Sequence, residues 1–230
     1  MRKVADGVWQ LSGFPPNLIN VYLVQDVLLD AATRQSGRRI LRQLKGRDVS
    51  AHMLTHAHPD HQGASKELCE TLGVPFWVGA EDADAAERPE QMRERQPDHP
   101  INGFMFRAIA GPGRRVDREL AEGDDVAGFR LLHTPGHAAG HMALWREADR
   151  VLIAGDVLAN VDTLTGIRGL HEPRELFTPD PALNRASARR LADLAPALVL
   201  FGHGAPLRNT AKFVDFVDQL PAGRLGPDGP

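Results

Sequence analysis

The chain has 230 residues, 42% hydrophobic and 25% charged, with a formal net charge of −3 at pH 7. That balance suits a globular chain with one sizeable core, and with no long run of Lys or Arg it argues against nucleic-acid and anionic-membrane partners. Cys69 is the only cysteine, which excludes an intrachain disulfide and a four-cysteine metal site, so any metal must be held by His and carboxylate.

In chain order, Val8–Leu11, Ile19–Val24 and Val27–Asp30 read as three early strands, with Pro15, Pro16 and Asn17 turning the chain between the first two. Ser36–Lys45 carries Ile40, Leu41 and Leu44 at helical spacing and closes at Gly46. His52–Thr55 is a short strand, Ala64–Leu72 a helix stopped by Gly73, and Pro75–Val78 another strand. The polar stretch Pro89–Pro100 reads as loop. Strands follow at Phe129–Leu132, Met142–Trp145 and Val151–Ala154, then a connection rich in Gly, Thr and Pro. Pro181–Leu194 is an expected helix, Ala197–Phe201 a last buried strand and Thr210–Leu220 a closing helix. With no low-complexity linker, residues 1–220 are expected to form a single domain, and 221–230 a tail too polar and glycine-rich to pack. The N-terminus meets Asp6 and Gly7 before any apolar stretch of signal-peptide length, and no run approaches the roughly 18 apolar residues of a membrane span. A cytoplasmic protein is expected.

The strongest chemical signal is Thr55-His56-Ala57-His58-Pro59-Asp60-His61-Gln62-Gly63, three histidines and a carboxylate directly after an expected strand. Residues two apart in an extended segment point the same way, so His56 and His58 suit one metal, while Pro59 bends the path and turns Asp60 and His61 toward a second position. Further ligands should come from other strand ends. His133-Thr-Pro-Gly-His137-Ala-Ala-Gly-His141 follows one strand, Val151-Leu-Ile-Ala-Gly155-Asp156 ends another with a carboxylate, and Phe201-Gly-His203-Gly repeats that design. Four such clusters at strand ends converge as sheet-based active sites do.

In these motifs, in their order and in their approximate spacing, the chain from about Val8 to Leu220 resembles the metallo-β-lactamase superfamily, the hydrolases that include glyoxalase II and the quorum-signal lactonases. The resemblance implies an α/β fold of four layers, an αββα sandwich. It assigns His56, His58 and His137 to one metal, Asp60, His61 and His203 to a second, and Asp156 to both. It implies an enzyme with two divalent metal ions, Zn2+ first, with Mn or Fe accepted by the same ligands. The expected chemistry is attack by a metal-bridging hydroxide on an ester, thioester, lactone or amide bond of a small molecule, with Asp60 as the catalytic carboxylate. A mononuclear iron oxidoreductase of the persulfide dioxygenase type, using His56, His137 and Asp156, is the alternative on the same fold. A nuclease of this fold is disfavoured by the acidic balance.

His133 and His141 are not needed to complete seven ligands: His133 is expected to cap a strand or to hydrogen-bond a ligand, His141 to be a structural residue opening the next strand, and His52 and His99 to be surface or packing residues. Tyr22, the only tyrosine, is expected in the core. Substrate contacts are expected from His171 and from Phe104 and Phe106 of the segment Asn102-Gly-Phe-Met-Phe106, with Arg93, Arg95 and Arg107 placed to meet a substrate carboxylate.

Overall fold

The computed structural model describes residues 1–221, and the expected tail lies, beyond Pro221, outside them. Strands β1 (Arg2–Ala5), β2 (Val8–Gln10), β3 (Tyr22–Val24), β4 (Val27–Leu29), β5 (Ala51–Met53), β6 (Phe76–Gly79) and β7 (Arg118–Leu120) form one sheet in that order. Pairing is antiparallel from β1 to β4 and parallel from β4 to β7. After β8 (Asp125–Val126), β9 (Phe129–His133), β10 (Met142–Arg146) and β11 (Val151–Ile153), a separate hairpin β12 (Ala159–Val161) and β13 (Arg168–His171) precedes β14 (Leu198–Leu200). The second sheet runs β14-β11-β10-β9-β8.

Each central strand is buried on both faces, which explains why these segments are continuous apolar runs rather than alternating ones. Tyr22, Val24, Val27, Leu29 and Met53 face Phe129, Leu131, Leu144, Ile153 and Leu200 across the gap between the sheets. The opposite faces are covered by helices. Leu23 and Leu28 pack under Ile40 and Leu44 of α1 (Gly37–Leu44) and, beyond the short α2 (Pro59–Gln62), Leu68 of α3 (Ser65–Leu72). Phe76 and Val78 pack with Ala85 and Ala86 of α4 (Ala83–Glu87) and Met92 of α5 (Pro89–Glu94). After α6 (Pro100–Ile109), the second sheet's Leu152, Val199 and Phe201 meet Leu191 of α7 (Pro181–Asp193) and Phe213 and Val217 of α8 (Ala211–Asp218). The layers are αββα.

The stretch Pro89–Pro100, expected as loop, begins with helix α5 and ends where α6 begins. The prolines that mark a loop in sequence stand in the first turn of each helix, where the missing N–H has no partner to lose. Sequence reading also passed over β1, β7 and the β12–β13 hairpin, all of them short, with few buried residues in β1, β7 and β13. Tyr22 is fully enclosed and its hydroxyl donates to Phe201 O at 2.8 Å, so it belongs to the core. No helix among the described residues is long and apolar enough to cross a membrane.

Candidate metal centre

The C-terminal ends of β4, β5, β9, β11 and β14 open onto one edge of the sandwich. There the loops after β5, β9, β11 and β14 bring His56, His58, Asp60, His61, His137, Asp156 and His203 together. His56, His58 and His137 form one group, and Asp60, His61 and His203 another, in each of which one donor atom per residue lies within 4.8 Å of the others. His56 also groups with His61 and Asp156, so the sets adjoin. Asp156 Oδ2 stands between them, 2.9 Å from His203 Nε2, 3.4 Å from His61 Nε2 and 3.6 Å from His137 Nε2. Glycine is required at position 202, where a Cβ would fall 1.9 Å from Asp156 Oδ1.

Three inner atoms of this cluster lack partners while the outer ones are held. His56 Nε2, His137 Nε2 and Asp156 Oδ1 are buried with no hydrogen bond. Unpaired buried polar atoms are costly and rare, so three of them within one His/Asp cluster mark a place that a cation completes. The opposite ring nitrogens are anchored. His56 Nδ1 lies 3.0 Å from Thr55 Oγ1, His137 Nδ1 3.1 Å from Thr178 Oγ1, His61 Nδ1 3.0 Å from Asp30 Oδ2 and His203 Nδ1 2.5 Å from Leu18 O. With each Nδ1–H donating outward, Nε2 keeps its lone pair for a metal, the arrangement that metal-binding histidines adopt. His58 reverses the ring, with Nε2 2.8 Å from the amide nitrogen of Gln96. The residues present fit a metal.

Electrostatics agree. Burial disfavours charge on His61, yet Asp156, Asp30 and Asp60 outweigh it and hold its pKa well above the usual histidine range. Burial likewise opposes charge on His203, but Asp156 and Asp60 raise its pKa to about 10. The carboxylates thus gather positive charge, a proton in the free protein and a metal cation where one binds. Around the first set burial dominates and keeps His56 and His137 neutral, the state in which imidazole is a ligand.

Two carboxylates that sequence reading did not assign to the site organise it. Asp30, at the end of β4, accepts from Thr55 N at 2.8 Å, from Thr55 Oγ1 at 2.9 Å and from His61 Nδ1 at 3.0 Å. Its signal, a carboxylate closing the apolar run Val27-Leu-Leu-Asp30, is the one that singled out Asp156. Asp82 accepts from Ala57 N and Gly140 N, both at 2.9 Å, and so ties the β5 loop to the β9–β10 loop. His141 is fully buried, with Nδ1 2.8 Å from Thr134 Oγ1 and Nε2 accepting from Asp156 N at 3.0 Å. His133 contacts Ala139 O from the surface, His52 stacks on Phe76, and His99 caps α6.

A cleft lies over the cluster, walled by Met92, Met105, Phe106, Ile109, Leu164 and Phe177. His171 and Phe106 line it, but Phe104 does not; Phe104 is 63% exposed on the outer side of α6. The helical turn that brings Phe106 inward carries Phe104 away, since residues two apart on a helix do not share a face. Arg174 of the wall pairs with Asp162 at 2.7 Å, and Glu172 with Arg185 at 2.5 Å. Arg93 also lines the cleft and has no ionic partner among the described residues. Arg95 is taken up by Asp84, and Arg107 lies outside the cleft.

The profile of the metallo-beta-lactamase superfamily matches residues 14–203, a span that contains every residue of the cluster. The chain belongs to the metallo-β-lactamase superfamily. It is a metallo-hydrolase of that superfamily, and its His/Asp cluster is able to bind metal. It is 31% identical over 221 residues to the probable metallo-hydrolase YflN of Bacillus subtilis, covering 85% of this chain and 84% of the relative. The hydroxyacylglutathione hydrolase GloC of Haemophilus influenzae is 31% identical over 152 residues, covering 60% of this chain and 66% of its own. Among solved structures, TTHA1623 in a di-iron-bound form superimposes with a TM-score of 0.69 at 30% identity, covering 90% of this chain and 99% of that one.

Proposed function

We propose that the protein is a dinuclear metallo-hydrolase that cleaves an ester, thioester, lactone or amide bond of a small molecule. The observation that carries this reading is the position of Asp156, whose Oδ2 reaches histidines of both ligand sets while its Oδ1 is buried without a partner. His56, His58 and His137 would hold one ion, Asp60, His61 and His203 the other, with Asp156 shared. Zinc suits this donor set, and iron and manganese are accepted by it. A pair of divalent ions supplies Lewis acidity toward a carbonyl and makes water nucleophilic near neutral pH.

The chain's own residues supply the rest. Asp60 has a side chain 24% exposed, against 7% for Asp156, and it lines the cleft. Burial would raise its pKa, but His61 and His203 hold it well below the usual carboxylate range, so it is ionised throughout the neutral range. In this reading its ionised carboxylate accepts a hydrogen bond from the attacking water and orients it, and relays the proton to the leaving group without holding it. The apolar wall excludes bulk water and receives the acyl portion, and the unpaired Arg93 at the cleft favours a substrate with an anionic end. The likeness to GloC supports including thioesters. The mononuclear iron alternative would leave Asp60, His61 and His203 without a task, although they are gathered as closely as the first set.

The test is a panel of lactone, thioester, β-lactam, phosphodiester and glutathione persulfide substrates, offered to protein of measured metal content. Turnover of an acyl compound that is lost on chelation and restored by zinc is the expected result. Oxidation of the persulfide by the iron form, with no acyl compound cleaved, would overturn the reading.

A further inference from the structure

Four of the five clustered histidines are steadied by Thr55, Asp30, Thr178 and Leu18. The fifth, His58, is held from the helical segment above the cleft, by Gln96 in the connection between α5 and α6. His58 is also the residue whose extended backbone, φ −93 and ψ 156, starts the short helix α2. With Nε2 committed to Gln96, the nitrogen it offers to His56 and His137 is Nδ1.

The contact is 2.8 Å between Gln96 Nε2 and His58 Nε2, so one nitrogen must accept. If the amide donates, the imidazole proton sits on Nδ1 and His58 has no lone pair for a metal. The end of a glutamine side chain is nearly symmetric in shape, and a half-turn about its last bond places Oε1 there instead. Then His58 Nε2–H donates to Oε1, and Nδ1 carries its lone pair toward the cluster. Gln96 lines both the substrate cleft and a second hollow bordered by Ala57, Met92, Gly136 and Leu183.

We infer that Gln96 is a positioning residue of the metal centre, its amide oxygen accepting from His58 Nε2–H and so fixing the tautomer and ring orientation in which Nδ1 is a ligand. The inference rests on the reading of His58 as a metal ligand. It makes the cleft wall and the metal centre share one side chain, since Gln96 touches both. An incidental contact of a loop glutamine would have neither a preferred amide orientation nor an effect on metal affinity.

The experiment uses the full chain with Gln96→Met, which keeps length and removes the acceptor, and Gln96→Glu, which accepts only. Zinc affinity is read by competition with a chromophoric chelator, and the histidine tautomers of the zinc-loaded protein by long-range 1H–15N spectra. Apo unfolding curves confirm that each variant folds. Gln96→Met should weaken zinc binding about tenfold or more, the usual cost of losing a histidine's outer partner, and Gln96→Glu should restore it. His58 should appear as the Nε2–H tautomer in wild type and in Gln96→Glu. Wild-type affinity in Gln96→Met, or equal weakness in Gln96→Glu, overturns the inference. His58→Ala separates the two readings: if it leaves zinc binding unchanged, the metal assignment of His58 falls and Gln96 with it. If His58→Ala weakens binding and Gln96→Met does not, the role of Gln96 alone falls.

Discussion

Replacing Asp30 separates the stability of the sandwich from the assembly of its metal centre. Its carboxylate is 2% exposed and accepts three hydrogen bonds, from Thr55 N, Thr55 Oγ1 and His61 Nδ1. Asp30→Ala strands all three donors, and at about 1–3 kcal/mol for each buried group left unpaired the loss is on the order of 3–9 kcal/mol, a large share of a domain's stability. Asp30→Asn keeps the size and one oxygen, so Thr55 retains an acceptor and the stability loss should be about 1–3 kcal/mol. Its new NH2, however, meets His61 Nδ1–H donor to donor. The relief is to move the imidazole proton to Nε2, the atom that faces Asp156 and His203. His61 is then no ligand, and affinity for the second ion should fall about 10–100-fold. Denaturant unfolding of the apo protein gives the first quantity, and zinc titration the second. Asp30→Asn that unfolds as expected but binds zinc at both sites with wild-type affinity would refute the claim that Asp30 sets the His61 tautomer.

Three further outcomes follow from the same geometry. Gly202→Ala places a Cβ against Asp156 Oδ1 and His61 Cε1, so it should displace both and lower metal content at a stability cost of about 1–3 kcal/mol, read by elemental analysis and melting. His52 is fully buried, and burial depresses its pKa to about 4, so it resists protonation in the fold and not in the unfolded chain. The apo protein should therefore hold this contribution above about pH 6.5 and lose up to about 3 kcal/mol of it as pH falls from there to 4; unfolding curves of wild type and His52→Gln should diverge across that window. Arg93→Glu should reverse the preference between 4-nitrophenyl hydrogen adipate and 4-nitrophenyl hexanoate, each step of charge changing the kcat/KM ratio by about fivefold for a solvent-exposed contact.

The clustered histidines and carboxylates were legible in sequence because each announces itself locally: a polar group placed at the end of an apolar strand, or two histidines sharing one face of an extended segment. What holds those side chains in place was not. Asp30 reaches His61 across 31 positions, Gln96 reaches His58 across 38 and Thr178 reaches His137 across 41, contacts that the sheet topology makes and no local pattern reveals. Asp82, 58 positions from Gly140, stands in a polar turn that looks solvated in sequence but is 2% exposed. The α5–α6 segment was missed because Pro89 and Pro100 punctuate a loop and begin a helix equally well. Phe104 and Phe106 could not be told apart without knowing that helix, since an extended segment would have turned both the same way.

The central claim is that one carboxylate, Asp156, joins two complete ligand sets. Elemental analysis of protein saturated with zinc and freed of excess metal tests it most directly, on wild type, His203→Ala and Asp156→Ala. About two ions per chain in wild type, about one in His203→Ala and a larger loss in Asp156→Ala, where both sets are weakened together, is the expected pattern. A wild-type stoichiometry of about one that His203→Ala leaves unchanged would contradict the dinuclear account.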